Sequence, residues 1–411
     1  MRLGFLIFYI VFGFTNLLLG NQIEICPTCE VKTISEGIEM AQPGDELIIQ
    51  SGLYKEHNLT IKKKLKLTGK GKPVIDGGKS GHILKILADS VTISGLTIQN
   101  VEQSYTKDYA AIYISRVKYY EVTNVILENV FFGILVEKSH YGKIYNNQIS
   151  SVAMSEAGAG NGIHLWHCSN VEIFGNEISD VRDGIYFEFV SDSRIWDNYS
   201  HDNIRYGLHF MFSNNDSYQD NVFVNNGAGV AVMFSKFITM TNNRFFKNWG
   251  TASYGLLLKE IYDAEIENNI FEENTIGINL EGSTRINYKN NVFKRNGWAV
   301  KIAGACYANK FYNNNFLHNS FDISYNSKLN DNSFESNYWS SYTGYDLDKN
   351  GIGDIPYRPV KLFSYVVNRT PETIVLLRSL FVDIINFSEK VSPVFTPDNL
   401  MDQNPLMKMV L

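Results

Sequence analysis

The sequence predicts an all-β fold, a single right-handed parallel β-helix with coils of about 22–23 residues, closed by an N-terminal cap and a C-terminal loop and helix cap. Three observations carry that reading. The unit Asn-x-aromatic/aliphatic recurs at Asn147, Asn176, Asn198, Asn221, Asn243, Asn269, Asn291 and Asn314, in steps of 29, 22, 23, 22, 26, 22 and 23 residues. A Gly followed by an aliphatic residue keeps the same rhythm at Gly133, Gly162, Gly184, Gly207, Gly229, Gly255 and Gly277, with steps of 29, 22, 23, 22, 26 and 22. Finally, 24 Tyr and 26 Phe against only 9 Pro favour strands, with the many Asn residues in turns. Leucine-rich repeats share this period, but their L-x-x-L-x-L signature is missing.

The chain starts with Met1-Arg2 and an apolar run from Leu3 to Leu19, so residues 1–20 read as a secretory signal peptide or an uncleaved anchor. Residues 21–45 read as an N-terminal segment and cap, with a short helix over Lys32–Ala41. The β-helix occupies 46–336, its first, less regular coils falling in Gln50–Asp76. A C-terminal capping loop and helix fill 337–411. Extra residues in the longer coils fall near Ser104–Ala111, Ala153–Asn161 and Trp249–Tyr254, as loops off the side of the solenoid. Met154 lies in one of them.

Register follows from the markers, because side chains alternate along a strand. One residue after each marker Gly stand Ile134, Ile163, Ile185, Leu208, Val230, Leu256 and Ile278. Three residues after stand Val136, Leu165, Phe187, Phe210, Val232, Leu258 and Leu280. Both columns are apolar and belong inside. A third inward column precedes each marker Asn by three and includes Tyr218, Met240 and Ile266. The positions between must face outward. They read Leu135, His164, Tyr186, His209, Ala231, Leu257 and Asn279, then Glu137, Trp166, Glu188, Met211, Met233, Lys259 and Glu281.

Ordinary exposed strands carry Thr, Lys, Glu or Ser there. A cluster of His164, Glu188, His209, Met211 and Met233 over successive coils is a candidate metal site, since imidazole and thioether together select Cu(I) over hard cations. The competing reading is an apolar outer face covered by a loop or partner. Of four cysteines, Cys26 and Cys29 form a CxxC, either a local disulfide or flexible tail, or a thiolate pair for a soft metal. Asp346, Asp348, Asn350 and Asp354 have the alternate oxygen donors of a calcium loop, although Tyr357 replaces the usual Glu, and an Asx-rich turn is the alternative. Pro371–Phe387 has a helical apolar pattern with Thr370 as N-cap.

A formal charge of −6 and no long Lys/Arg run argue against nucleic acid as a partner. No phosphate-binding loop of the GxxxxGK[ST] kind is present, so any ATP hydrolysis belongs to another chain.

RYGLHFMFSNN (205–215) and GVAVMFSK (Gly229–Lys236) are similar to two coils of the NosD family. NYWSSYTGYDLDKNGIGDIPYRPVKLF (Asn337–Phe363) is a more specific match, and PLM (Pro405–Met407) agrees. The resemblance implies a periplasmic protein that processes copper. It would receive copper from a chaperone, act with an ABC-type ATPase and membrane permease, and serve assembly of the copper centres of nitrous oxide reductase, without being an enzyme itself. The alternative is a β-helix carbohydrate-active enzyme, a polysaccharide lyase or epimerase. Its acid, base and cation would come from Asp183, Glu188, Asp202 and Arg205.

Overall fold

A computed structural model describes residues 20–152, 155–250, 253–325, 331–391 and 400–410. The leader read at 1–20 lies outside them apart from Gly20, as does Met154. Each coil gives one strand to each of three sheets, which hold 14, 12 and 13 strands among the described residues. Successive coils pair parallel and in register, as in Ile185↔Leu208↔Val230↔Leu256. All members of the three inward columns named above are buried, Met240 and Tyr218 included, and Phe210 meets Phe187 and Tyr218 edge to face. In another inward column Phe223, Phe245, Phe271, Phe293 and Phe316 stack along the axis, with ring centroids 4.6–5.4 Å apart.

The two sequence markers have different physical causes. Each marker Asn is a rung of a buried amide ladder. Asn198 Nδ2 donates to Asn221 Oδ1 at 3.0 Å and to Ile173 O at 3.0 Å, while its backbone N–H also donates to Asn221 Oδ1 at 3.1 Å. The same set repeats at Asn221 on Asn243. Turn amides and carbonyls that could not reach water are thereby satisfied. The residue in front of each rung sits in the left-handed region: Asn146 (φ 55°), Gly175 (63°), Asp197 (53°), Asp220 (56°) and Asn242 (59°). That region suits Asn, Asp and Gly, hence the NN, GN and DN pairs. The marker glycines answer to space. A Cβ on Gly229 would lie 2.4 Å from the carbonyl oxygen of Gly255. A second ladder, Asn203–Asn226–Asn248–Asn274–Asn296–Asn319, runs along another corner.

Both ends are closed. Helix α1 (Ile34–Met40) starts on a capping box. Thr33 Oγ1 accepts from the Glu36 N–H and the Glu36 carboxylate accepts from the Thr33 N–H, each at 3.2 Å. At the other end the chain returns at 400–410, and Asp402 takes the position of the next ladder rung beyond Asn337.

The single helix expected over Pro371–Phe387 is instead two pieces, a 3₁₀ segment (Pro371–Leu376) and α3 (Leu380–Val391), and a further helix, α2 (Leu362–Arg369), precedes them. Pro371 cannot continue α2, and Thr370 hydrogen-bonds back to Val366 O at 2.9 Å instead of capping forward. Phe363 and Val367 of α2 and Val382 of α3 pack on Ile276, Trp298 and Phe321. The Trp298 ring lies under Lys301 Nζ, 4.8 Å away, and Lys301 pairs with outward Asn279, so the helices cover the outer face of the 12-stranded sheet.

Candidate metal site

That same sheet carries the His/Met cluster, a few coils nearer the N-terminus. Four strands bear it: Ile163–Trp166, Asp183–Glu188, Tyr206–Met211 and Ala228–Met233. Met211 pairs in register with Met233, and Glu188 with Met211. Their inward neighbours Phe187, Phe210 and Val232 are buried in the core, so alternation turns both thioethers outward, on strands about 4.8 Å apart. His209 stands two residues before Met211 on the same face.

The outer face is not open surface. His209 is 5% exposed. The rings of Tyr186 and Tyr206 flank it, each with its centroid 4.8 Å away. Beneath it is Asp183, fully buried, which precedes marker Gly184. Arg205 grips Asp183 with two hydrogen bonds, Nε to Oδ1 at 2.8 Å and an Nη to Oδ2 at 2.5 Å, the strong bidentate form. His209 Nδ1 lies 3.4 Å from the same Oδ2. Burial pushes the Asp183 carboxyl up, but hydrogen bonds from Arg205 and His209, with the charge of Arg205, outweigh it and hold the group below the usual carboxylate range. The Ala153–Asn161 insertion brings Glu156 within electrostatic reach of Arg205 and Tyr206.

His164 sits one coil further away, with the Tyr186 ring between: the centroids of His164 and Tyr186 are 4.6 Å apart. Burial, then the charge of Arg182, pushes its pKa down to about 3. The Tyr186 hydroxyl donates to the Met211 sulfur at 3.5 Å, and burial followed by the charges of Glu188 and Asp183 raises that phenol to about 12. It therefore stays protonated as a donor. Nε2 of both His164 and His209 is buried with no hydrogen-bond partner. Such orphaned nitrogens are rare in native interiors and call for an explanation.

The proposed donors are thus only partly gathered. His209, Met211, Met233 and Glu188 share one face on three adjacent coils, whereas His164 is separated from His209 by a tyrosine. Among the described residues, no three His, Cys, Asp or Glu side chains converge to hold a metal. A soft site here would need the thioether sulfurs. Cys26 and Cys29 are joined in a disulfide with Cα atoms 5.0 Å apart, so the thiolate-pair reading does not describe this state. In the calcium-like loop the donors are turned onto the loop's own backbone. Asp346 Oδ2 accepts from the Gly351 N–H at 2.9 Å, Asp348 Oδ1 from Asn350 N–H at 3.2 Å, Asn350 Oδ1 from Ile352 N–H at 2.7 Å and Asp354 Oδ2 from Leu347 N–H at 2.7 Å. Those of Asp348 and Asn350 are Asx-turn hydrogen bonds.

Sequence reasoning missed the Asp183–Arg205 pair as the support of His209. The available signal was an Asp just before a marker Gly, a column otherwise filled by Phe132, Asn161, Tyr206, Ala228, Tyr254 and Ile276. It also missed a stripe bordering the thioethers. Phe189, Phe212 and Phe234 follow Glu188, Met211 and Met233, adopt φ of 54°, 50° and 53°, and stack at 5.1 Å on one another and at 4.7 Å on His167. Left-handed backbone is unusual for a bulky residue. The three phenylalanines, five after successive marker glycines, were readable as a column.

The sequence model of the family described as "Periplasmic copper-binding protein (NosD)" matches residues 149–344, which include every residue of this cluster. A protein of Stutzerimonas stutzeri named "Probable ABC transporter binding protein NosD" is 27% identical over 381 residues, covering 88% of this chain and 86% of that protein. One of the same name from Pseudomonas aeruginosa is 26% identical over 394 residues, covering 91% of each. Among solved structures, a family 28 exopolygalacturonase of Yersinia enterocolitica superposes with a TM-score of 0.61 at 11% identity, over 76% of this chain and 78% of that one. The hyperthermoactive exopolygalacturonase of Thermotoga maritima gives 0.51 at 14% identity, over 76% and 89%. These two show a shared fold. No helix among the described residues is long and apolar enough to cross a membrane. The family match over residues 149–344, and two relatives aligned along most of their length, support a NosD-type protein.

Proposed function

We propose that this protein binds Cu(I) in the periplasm on the outer face of the 12-stranded sheet and passes it on for assembly of the copper centres of nitrous oxide reductase. It would take copper from a chaperone and work with an ABC-type ATPase and permease. The observation that carries the reading is His209. Its Nε2 is buried and unpartnered, its Nδ1 is held by a carboxylate, and two thioethers from adjacent coils share its face. A ligating imidazole backed by a carboxylate is the usual arrangement at metal sites, and sulfur with nitrogen suits Cu(I). Copper is cargo here, so the chemistry is ligand exchange.

The carbohydrate-enzyme alternative has less to stand on. Glycosidic chemistry calls for two carboxyl groups facing one groove. Asp183 is fully buried and tied to Arg205, and Asp202 follows a strand of the 13-stranded sheet, away from Glu188.

Competition of the purified, reduced protein with a Cu(I) chelator tests the copper reading. The double variant Met211→Ala/Met233→Ala is expected to lose at least about 100-fold in Cu(I) affinity, since even second-shell partners cost roughly 10–100-fold. Its melting temperature should move little, because both side chains lie on the outside of the sheet. Wild-type affinity in the double variant would contradict the site.

A further inference from the structure

His164 and His209 both bury an unpartnered Nε2, yet their Nδ1 atoms face opposite chemistry. At His209 the neighbour is Asp183 Oδ2, 3.4 Å away. Asp183 is gripped at both oxygens by Arg205, which only donates. A carboxylate so held accepts hydrogen bonds, so Nδ1 of His209 must carry the proton. A second proton on Nε2 would be buried with no acceptor, at a cost. The Nε2 lone pair is therefore presented outward.

At His164 the neighbour is the side-chain amide of Asn161, 3.4 Å from Nδ1. Which end of that amide points at the ring is fixed by a third residue. Arg182 Nε donates to Asn161 Oδ1 at 3.2 Å, so the oxygen faces the guanidinium and the NH₂ faces the imidazole. An NH₂ donates, so Nδ1 of His164 accepts and its proton sits on Nε2.

We infer that the fold sets the two imidazoles in opposite tautomers, making His209 the one that can ligate a soft cation through Nε2 and His164 an N–H donor beside the site. Asp183 and Arg205 are positioning residues for the first, Asn161 and Arg182 for the second. The assignment of His209 as ligand rests on the copper reading above; the tautomers themselves do not.

The test uses the whole metal-free protein with ¹⁵N-labelled histidine, reading each ring by long-range ¹H–¹⁵N correlation and assigning signals with His164→Gln and His209→Gln. The expected spectrum has an imine-type nitrogen at Nε2 of His209 and at Nδ1 of His164. In Asp183→Ala, Nδ1 of His209 loses its acceptor, and the His209 proton should no longer be held at Nδ1. Cu(I) affinity should then fall by about 10–100-fold, while His164→Ala should change it less than about threefold, because no ligand is lost. An Nε2–H on His209 in the wild type, or the same tautomer on both rings, would overturn the inference without using copper. The expected tautomers in a protein whose Cu(I) affinity none of these variants alters would leave the tautomer setting standing and overturn the ligand assignment with the copper reading.

Discussion

Asp402→Ala is expected to lower folding stability by roughly 3–6 kcal/mol, because several buried donors would lose their acceptor at about 1–3 kcal/mol each, offset in part by water entering the end of the coil stack. Oδ2 accepts from Asn337 N–H at 2.9 Å, Asn337 Nδ2 at 3.1 Å and Trp339 Nε1 at 2.9 Å, while Oδ1 accepts from Ser336 N–H at 3.1 Å. The residue type follows from its place. Every Asn in the ladder accepts from the coil before it and donates onward; the last rung needs acceptors alone, and a carboxylate offers only those. Asp402→Asn, which restores the residue used at other rungs, should cost far less. Chemical denaturation of both variants checks this, and equal losses would show that the ladder argument misplaces the energy. Freeing the 400–410 segment would also bare the strand edges it covers at Phe334 and Tyr338, so Asp402→Ala should self-associate more readily.

Gly229→Ala should cost on the order of 3 kcal/mol, the upper end for overpacking. The added methyl meets the carbonyl of Gly255 at 2.4 Å and Asn248 Nδ2 at 3.1 Å, and that carbonyl belongs to a sheet locked on both sides by its neighbours. The Asn248 amide is itself tied to Phe223 O and Asn274 Oδ1, so neither neighbour gives way freely. One coil past Gly277 the column holds Ala299, and Ala299→Gly should cost less than about 1 kcal/mol, the entropic penalty of a strand glycine. Melting temperatures of the two variants would separate close packing from a general preference for glycine.

Both effects concern features that repeat, and repetition is why so much of the fold was legible. Ile185, Leu208 and Val230 announce an inward column because one solution is used coil after coil, and the same register puts Met211 beside Met233. What does not repeat could not be read. Asp183, Arg205 and His209 meet once, through side chains whose reach across coils no spacing specifies. The amide ladder of Asn203 to Asn319 went unseen because the position two residues on keeps no one type: Arg205, Ala228, Gly250, Ile276, Trp298 and Phe321. Pro371 sits inside an apolar helical pattern, and only the packing of Phe363 and Val367 on Trp298 and Phe321 shows that the helix before it is the anchored one. At Asp402 the ladder residue arrives 65 positions after Asn337, long after the period has ended.

If sulfur and imidazole on one outer strand face take Cu(I), X-ray absorption at the copper edge of the Cu(I)-loaded protein should show both. The expected first shell is sulfur with nitrogen, the sulfur contribution vanishing in Met211→Ala/Met233→Ala and the nitrogen in His209→Ala. A shell of oxygen and nitrogen only, or sulfur scattering that survives the double substitution, would contradict it.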